Sequence, residues 1–461
     1  MRTRKILHYG LCFTTLLSLT ITGRAQNQAS YEQTAEQCAK KAGKIADSKD
    51  GILLKLEEGA AWRCAGKYEQ SNQAFDLAED RINFFDDQAK VKVSDTAKTT
   101  ILGPSSLTYE GHASDKILMN TYKALNYIQL GQYDKARVEL NRALERQREA
   151  VELNAARLEK AREKAGKQQN QADTDKVQSD EQFQSETKKE YGDLDGMKFY
   201  ADYVNPLTVY LDGLFFMTQA SGSSDYERSH KSFDRVRAMS GDSRFINDDI
   251  DAVIHAQAGQ SPGPMTYVIL EAGKAPVREE THLNTPAYMA GGQGMGSVRN
   301  ASVAFPKLRF QNQAVTPFTV SASGTNATAA LLSSTDSVVA HEFKDEWPLV
   351  MTTTLTAYFA RGVAGNAAKK GGFGGIGGAV AGLAVETWLR TVNHADLRCW
   401  GSLPKEYYFC HIPTPADRKI ELAMPNGNKT SVAVNEGTVN LVWVKAANES
   451  TPLLVSQGRL K

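Results

Sequence analysis

The chain has 461 residues, with 54 basic and 53 acidic side chains and five cysteines. That length exceeds what one compact core supports and predicts two or three domains. The even charge balance excludes general nucleic-acid binding, which needs a concentrated basic face.

Arg2, Arg4 and Lys5 precede a mostly apolar stretch from Ile6 to Ile21, and Gly23-Arg24-Ala25 places small residues at the −3 and −1 positions of a cleavage site. This predicts a secretory signal peptide over residues 1–25. A retained membrane helix is the competing reading, but the run is short for a hydrocarbon core of about 30 Å. Cys12 follows Tyr9-Gly10-Leu11, a poor lipidation box, so no lipid anchor is expected. Cleavage leaves 50 basic against 53 acidic side chains, a net charge of about −3. It also places Cys38, Cys64, Cys399 and Cys410 in an oxidising compartment. Three pairings are open, of which the local pairs Cys38–Cys64 and Cys399–Cys410 are the favoured disulfides. Their spacings match no zinc pattern.

Residues 26–260 read as helical. Leu53, Leu54, Leu56, Ala60 and Trp62 recur at helical spacing, Gly66-Lys67-Tyr68 turns the chain, and Ser71, Phe75 and Ala78 follow on the next helix. A second stretch, Tyr122 to Glu145, aligns with this one without gaps. Gly59 matches Ala124, Trp62 matches Tyr127, Gly66 matches Gly131, Tyr68 matches Tyr133, Phe75 matches Leu140 and Ala78 matches Ala143, with Ala136 on the same face. Small residues at 59/124 and 78/143 let two helices approach, and glycine permits the sharp turn between them. A weaker third copy spans Tyr210 to Ala238, with Gly213 in the small position and Tyr226, Ser229, Phe233 and Val236 on its second helix; four extra residues lengthen its loop. Val91 to Ser114 reads as an irregular loop. Residues 145–190 are strongly polar. Their first part predicts a helix running on into solvent, and their second part a flexible linker or exposed loop.

Composition changes near Gln260-Ser-Pro-Gly-Pro264, and a β-rich domain is expected over 263–461. Met265 to Pro276, Ser302 to Phe310 and Phe318 to Gly324 read as strands. Lys419 to Ala446 alternates with period two, broken at Asn426-Gly427 and Glu436-Gly437, which are hairpin signals. Inside this domain residues 338–390 read as helical. Gly374, Gly378 and Gly382 recur every four residues, a small-residue face suited to close helix packing, or to membrane insertion by a helix over 371–388.

Motifs with chemical meaning fail on context. Gly372-Phe-Gly374-Gly-Ile-Gly377 satisfies GxGxxG, but no strand precedes it and no βαβ unit surrounds it. His341-Glu342-Phe-Lys-Asp345 has Asp where a zinc-protease helix has its second His, and reads as a solvated charge cluster. Ser402-Leu-Pro-Lys405 fits the SxxK pattern but lacks companion motifs. No catalytic residue, cofactor or metal is expected.

The two-helix layout resembles the tetratricopeptide repeat family, whose helix pairs stack because neither helix buries its apolar face alone. At the positions that usually line such a groove the first copy offers Leu53, Leu56, Ala60 and Arg63, and the second Leu118, Thr121, Leu125 and Ile128. An apolar groove of this kind is expected to be covered, by the chain's own helices or C-terminal domain or by an apolar partner segment. Four segments together resemble a poorly characterised family of exported Gram-negative envelope proteins, often lipoproteins: Asn120 to Ala143, Thr266 to Pro276, Ser302 to Leu308 and Ala395 to Pro404. The missing lipidation box departs from the lipoprotein members. The expectation is an α+β protein: a tetratricopeptide-like helical domain, then a β-rich domain with an inserted helical hairpin. The function expected is a periplasmic interaction scaffold at the cell envelope, with an envelope protein as partner. A membrane-associated homo-oligomer is the alternative and a cell-wall enzyme a third class.

Overall fold

The computed structural model describes residues 24–90, 104–167, 171–200, 203–260, 263–285, 301–311, 318–370, 394–427, 429–448 and 452–461. The expected leader, apart from Arg24 and Ala25, lies outside them, as do Gly374, Gly378, Gly382 and the GxGxxG run. The protein is mixed α+β, helical in its N-terminal part and β-rich in its C-terminal part.

The helical part comprises α1 (Arg24–Ala42), α2 (Gly51–Cys64), α3 (Tyr68–Lys90), α4 (Ala113–Gln129), α5 (Tyr133–Lys167), α6 (Gln171–Gln178), α7 (Glu181–Tyr191), α8 (Pro206–Thr218), α9 (Ser223–Ser240) and α10 (Arg244–Gln257). The pairs α2/α3 and α4/α5 turn in the same way. Gly66 and Gly131 stand at φ +76 and +68, the left-handed conformation glycine adopts without strain. The Lys67 amide donates to Trp62 O at 2.9 Å, and the Gln132 amide to Tyr127 O at 2.8 Å, so each helix ends on the same cap. The close approach is also repeated. A Cβ on Gly59 would lie 2.4 Å from the Phe75 ring, and one on Gly213 would lie 2.9 Å from Phe233. Ser71 Oγ donates to Gly59 O and Ser229 Oγ to Gly213 O, both at 2.7 Å. Ala124, Ala136, Leu140 and Ala143 hold the corresponding crossing of α4 and α5 and are buried.

Helix α4 is buried on every side from Ser114 to Asn126. One face is apolar. The face toward α3 and α5 is a polar ladder: Lys116 meets Asp86 at 2.7 Å, Asn120 donates to Glu79 and Glu139 at 2.7 Å, and Asn126 donates to Ser71 and Asn72 at 2.8 Å. Lys123, 1% exposed, reaches Glu79 at 2.5 Å, Asp76 at 2.7 Å and Glu139 at 3.1 Å. Buried charges persist only when paired in this way.

The polar stretch after residue 145 departs from expectation. Helix α5 does run on to Lys167, but it packs along a later helix, α11 (Thr335–Lys370), rather than entering solvent. The expected linker is folded as α6 and α7. Its few apolar residues, Val177 and Phe183, are buried on Leu283, Val303, Phe305, Leu355 and Phe359. Sparse apolar residues suffice because each lands on a surface supplied from elsewhere in the chain.

The strands are β1 (Met265–Ala272), β2 (Val277–Thr285), β3 (Ala301–Arg309), β4 (Thr319–Ala322), β5 (Thr325–Thr328), β6 (Ala330–Ser334), β7 (Glu406–Pro413), β8 (Lys419–Ala423), β9 (Lys429–Ala433), β10 (Val439–Ala446) and β11 (Leu454–Arg459). A five-stranded sheet has the order β11-β10-β1-β7-β6, with β1 and β10 parallel and the other neighbours antiparallel. A four-stranded sheet has the order β5-β4-β8-β9, and β2 and β3 form a separate ribbon. Asn426-Gly427 closes the β8–β9 hairpin as expected. Glu436-Gly437 does not close one: β9 belongs to the four-stranded sheet and β10 to the five-stranded sheet. The corner is held by Arg418, whose guanidinium donates to the carbonyls of Val434, Asn435 and Gly437.

One apolar cluster runs from Leu56, Phe75 and Leu125 through Tyr210 and Phe233 to Val268, Tyr407 and Trp443. The expected boundary at 260–263 therefore marks a change from helix to strand and not a change of core. Of the expected helical hairpin over 338–390, the first arm lies in α11, laid against α5 and β3, and the second, 371–390, lies outside the described residues. No described helix is long and apolar enough to cross a membrane. The expected disulfides are absent: Cys38, Cys64, Cys399 and Cys410 are all thiols. Cys410 sits in mid-sheet opposite Val268, buried among strand neighbours, which removes it from any loop that Cys399 could close.

Candidate functional site

Two places collect the side chains with functional potential, and α4 contributes to both. The first is the expected groove. Leu56, Leu118, Thr121, Leu125 and Ile128 are buried, as are Ala60 and Arg63, while Leu53 is half-buried against the same cluster. What covers them is the chain itself. Trp400 stands edge-on to both Phe75 and Tyr122, with ring centroids 5.9 and 5.8 Å away. The hydroxyls of Tyr122 and Tyr407 meet at 2.9 Å, and those of Thr121 and Thr208 at 2.8 Å. The Arg63 guanidinium lies 5.4 Å from the Trp443 ring and donates to Asn126 at 2.7 Å. Gly458 of β11 packs on Ile128, and Tyr133 OH donates to Arg459 O at 2.8 Å.

The segment Ala395 to Pro404 is the plug of this seam. Arg398 donates to Leu107 O at 2.8 Å and pairs with Asp50 at 3.2 Å, and the Gly401 amide donates to Glu57 at 2.8 Å. Burial pushes the Glu57 carboxyl up to about 7. On α10, packed against the five-stranded sheet, Asp249 is fully buried and accepts from Tyr210 OH at 2.9 Å and Tyr267 OH at 3.0 Å, with His411 Nε2 3.5 Å away. Burial raises it to about 6, because the His411 ring and the two hydroxyls offset only part of the desolvation.

The second place is the N-terminus of α4. His112 caps the helix, its amide donating to Asp115 at 3.1 Å. Across from it, Glu342 and Glu346 lie one turn apart on α11 and share a face. Glu342 accepts from the Ser114 amide at 3.2 Å and from the Ser114 hydroxyl. His112 Nδ1 stands 3.2 Å from Glu346, and Arg278 of β2 brings Nη2 within 3.3 Å of both His112 Nδ1 and Glu346. One donor atom from each of His112, Glu342 and Glu346 lies within 4.8 Å of the others. Burial and then the Glu346 charge push the Glu342 carboxyl up. Burial acts the same way on Glu346, but His112 and Arg278 outweigh it and hold that carboxyl down. A cavity of about 40 Å³ adjoins Glu346, lined also by Asp86, Lys116, Arg146, Arg157 and Tyr203.

The reading of residues 341–345 as a solvated cluster is thus half right. His341 stacks on Phe199 and lies 3.7 Å from Asp345 near the surface, whereas Glu342 is 2% exposed and turns inward. Lys405 pairs with Asp336. Sequence reasoning missed the plug and the junction because their members are far apart in the chain; the apolar residues Ala395, Trp400 and Leu403 in a connector are the local signal for the plug.

No protein-family model, curated protein or solved structure matches this chain.

Proposed function

We propose that this chain is an exported interaction protein of the bacterial cell envelope, built on three tetratricopeptide-like helix pairs whose groove is sealed by its own sheet. Partners then meet the outer faces of the pairs. The observation that carries this reading is the burial of the groove positions Leu56, Leu118, Leu125 and Ile128 under Trp400, Tyr407 and β11. A groove already filled at interior density has no room for a client segment. The outer face of α3 supports the same reading, since Leu77 and Phe84, two turns apart, are 45% and 46% exposed.

The test is cross-linking with mass spectrometry on native envelopes. Links from exposed Lys67, Lys135 or Lys231 to one defined envelope protein are expected. They should be lost when Leu77 and Phe84 are both changed to Asp while the circular dichroism spectrum is retained. Links confined to the chain itself would sink the proposal. Deleting the helix pairs is a poor control, because the sheet shares their core.

A further inference from the structure

We propose that His112, Glu342 and Glu346 form a binding site for one divalent transition-metal ion, clipping the N-terminus of α4 to α11. The donor set is one imidazole and two carboxylates, a combination suited to zinc and its first-row neighbours. Its geometry is close to that of a coordination shell. Metal–ligand bonds of about 2.0–2.2 Å put tetrahedral donors roughly 3.3–3.6 Å apart. His112 Nδ1 and Glu346 already stand at 3.2 Å, and Glu342 completes the set within 4.8 Å. Closing that gap asks only for a rotamer adjustment at the end of a glutamate side chain.

The junction is also electrostatically and sterically incomplete as it stands. Glu342 is buried and Glu346, on the same face, is 17% exposed, and Asp115 adds a third carboxylate at the same helix end. Against them stand Arg278, the imidazole and, on the cavity side, Arg157, which act on Glu346. Among the described residues Glu342 is bonded by Ser114 alone, so a cation held between the two carboxyls would engage the one that those cations do not bond. The imidazole is equally unresolved: Nδ1 faces an acceptor on Glu346 and a donor on Arg278 together, while Nε2 is shielded from solvent without a hydrogen-bond partner among the described residues. An ion on Nδ1 removes that conflict and leaves Arg278 to the far oxygen of Glu346, where it orients the ligand. The adjoining cavity of about 40 Å³ lies on the Glu346 side of the junction and has room for a water beside that carboxylate.

The experiment uses the full chain after secretion, stripped with EDTA and dialysed, then titrated with zinc chloride by calorimetry. Metal content is read by mass spectrometry, and thermal unfolding is followed with and without zinc. One zinc per chain with a micromolar or tighter Kd, and a higher Tm with zinc, are expected. H112A and E346Q should each weaken binding by at least tenfold. H341A, which alters the neighbouring surface histidine, should leave stoichiometry and affinity unchanged. Absence of binding by the parent protein, or affinities unchanged in H112A and E346Q, would overturn the site. Loss of binding in H341A with retention in H112A would also overturn it, by moving the ion to His341 and Asp345. Should H112A fail to fold, E342Q keeps the side-chain shape, removes one charge and carries the same test.

Discussion

Two buried carboxyls, Glu79 beside α4 and Asp249 on α10 against the five-stranded sheet, are accommodated by opposite means. Toward α3 and α5, Glu79 is surrounded by Lys123, Arg146 and Arg142. On the helix–sheet seam, Asp249 is surrounded by two tyrosine hydroxyls and a histidine. Burial acts to raise both carboxyls. On Glu79 the Lys123 charge and the Asn120 hydrogen bond overcome it and hold the group down to about 2, whereas Asp249 rises to about 6. For these two carboxyls the sign of the shift follows how strongly charged partners oppose burial. Ionisation of Glu79 adds stability to the ladder, and ionisation of Asp249 costs stability on the seam.

The largest effect that would break this comparison comes from Lys123. Changing Lys123→Met removes the most deeply buried cation between Glu79 and Glu139 and leaves them Arg142 and Arg146, which are more exposed. A loss of about 3 kcal/mol is expected, the lower end for breaking a buried pair, because two cations remain. Urea unfolding at pH 7 measures it. Adding Glu79→Gln to that variant should recover part of the loss, since contacting groups are not additive. A ladder that tolerates Lys123→Met would mean its ion pairs are incidental.

Next comes pH. The folded chain holds the Asp249 proton up to about pH 6, while the unfolded chain releases it near pH 4. Between those values the folded state binds more protons, so this group's contribution makes stability fall as pH rises from about 4 to about 6, then level off. Glu79 works the other way: its contribution is present above about pH 4.3 and is lost as pH falls toward 2. Asp249→Asn removes the first slope only. Relative to the parent chain, the variant should gain about 1–3 kcal/mol between pH 4 and pH 7. Paired urea titrations at the two pH values test this, and a constant difference would mean the seam does not hold a neutral carboxylic acid.

Packing on the seam gives a third test. Gly59→Ala places a Cβ 2.4 Å from the Phe75 ring, which is itself pinned by Trp400. Overpacking of that kind costs about 1–3 kcal/mol. Gly213→Ala meets Phe233 at 2.9 Å and should cost less. Equal effects, read from urea midpoints, would say that Trp400 does not fix Phe75.

How much of this was legible in the chain follows the range of each interaction. The helix pairs were, because Gly59 with Phe75 and Gly66 with its cap act over fewer than twenty residues. β10 was legible as a strand, but the alternation expected of it gives way to burial on both faces. Strand β2, with Arg278, Glu279, Glu280 and His282, looked polar because it lies in a two-stranded ribbon whose long side chains reach α7, α11 and the 394–398 segment. Helices α6 and α7 hid because their anchors, Val177 and Phe183, are too few to form a periodic face on their own. The filling of the groove by Trp400 and Tyr407, and the meeting of His112 with Glu342 and Glu346, join residues more than 200 positions apart. No local pattern encodes such contacts; only the assembled core does.

The smallest predicted effect separates backbone from packing at the repeated turns. Gly66 and Gly131 share a left-handed φ, and a Cβ at either would meet nothing closer than 3.9 Å. Any cost of Gly66→Ala or Gly131→Ala is then conformational, about 1 kcal/mol each from the left-handed backbone alone. The two values should agree within error, although the first turn joins α2 to α3 and the second α4 to α5. Thermal unfolding of both single variants measures this. A much larger loss at Gly131 would mean that α4, buried on every side, transmits a strained turn into the ladder and the seam, and the two copies would be alike in shape but not in energetics.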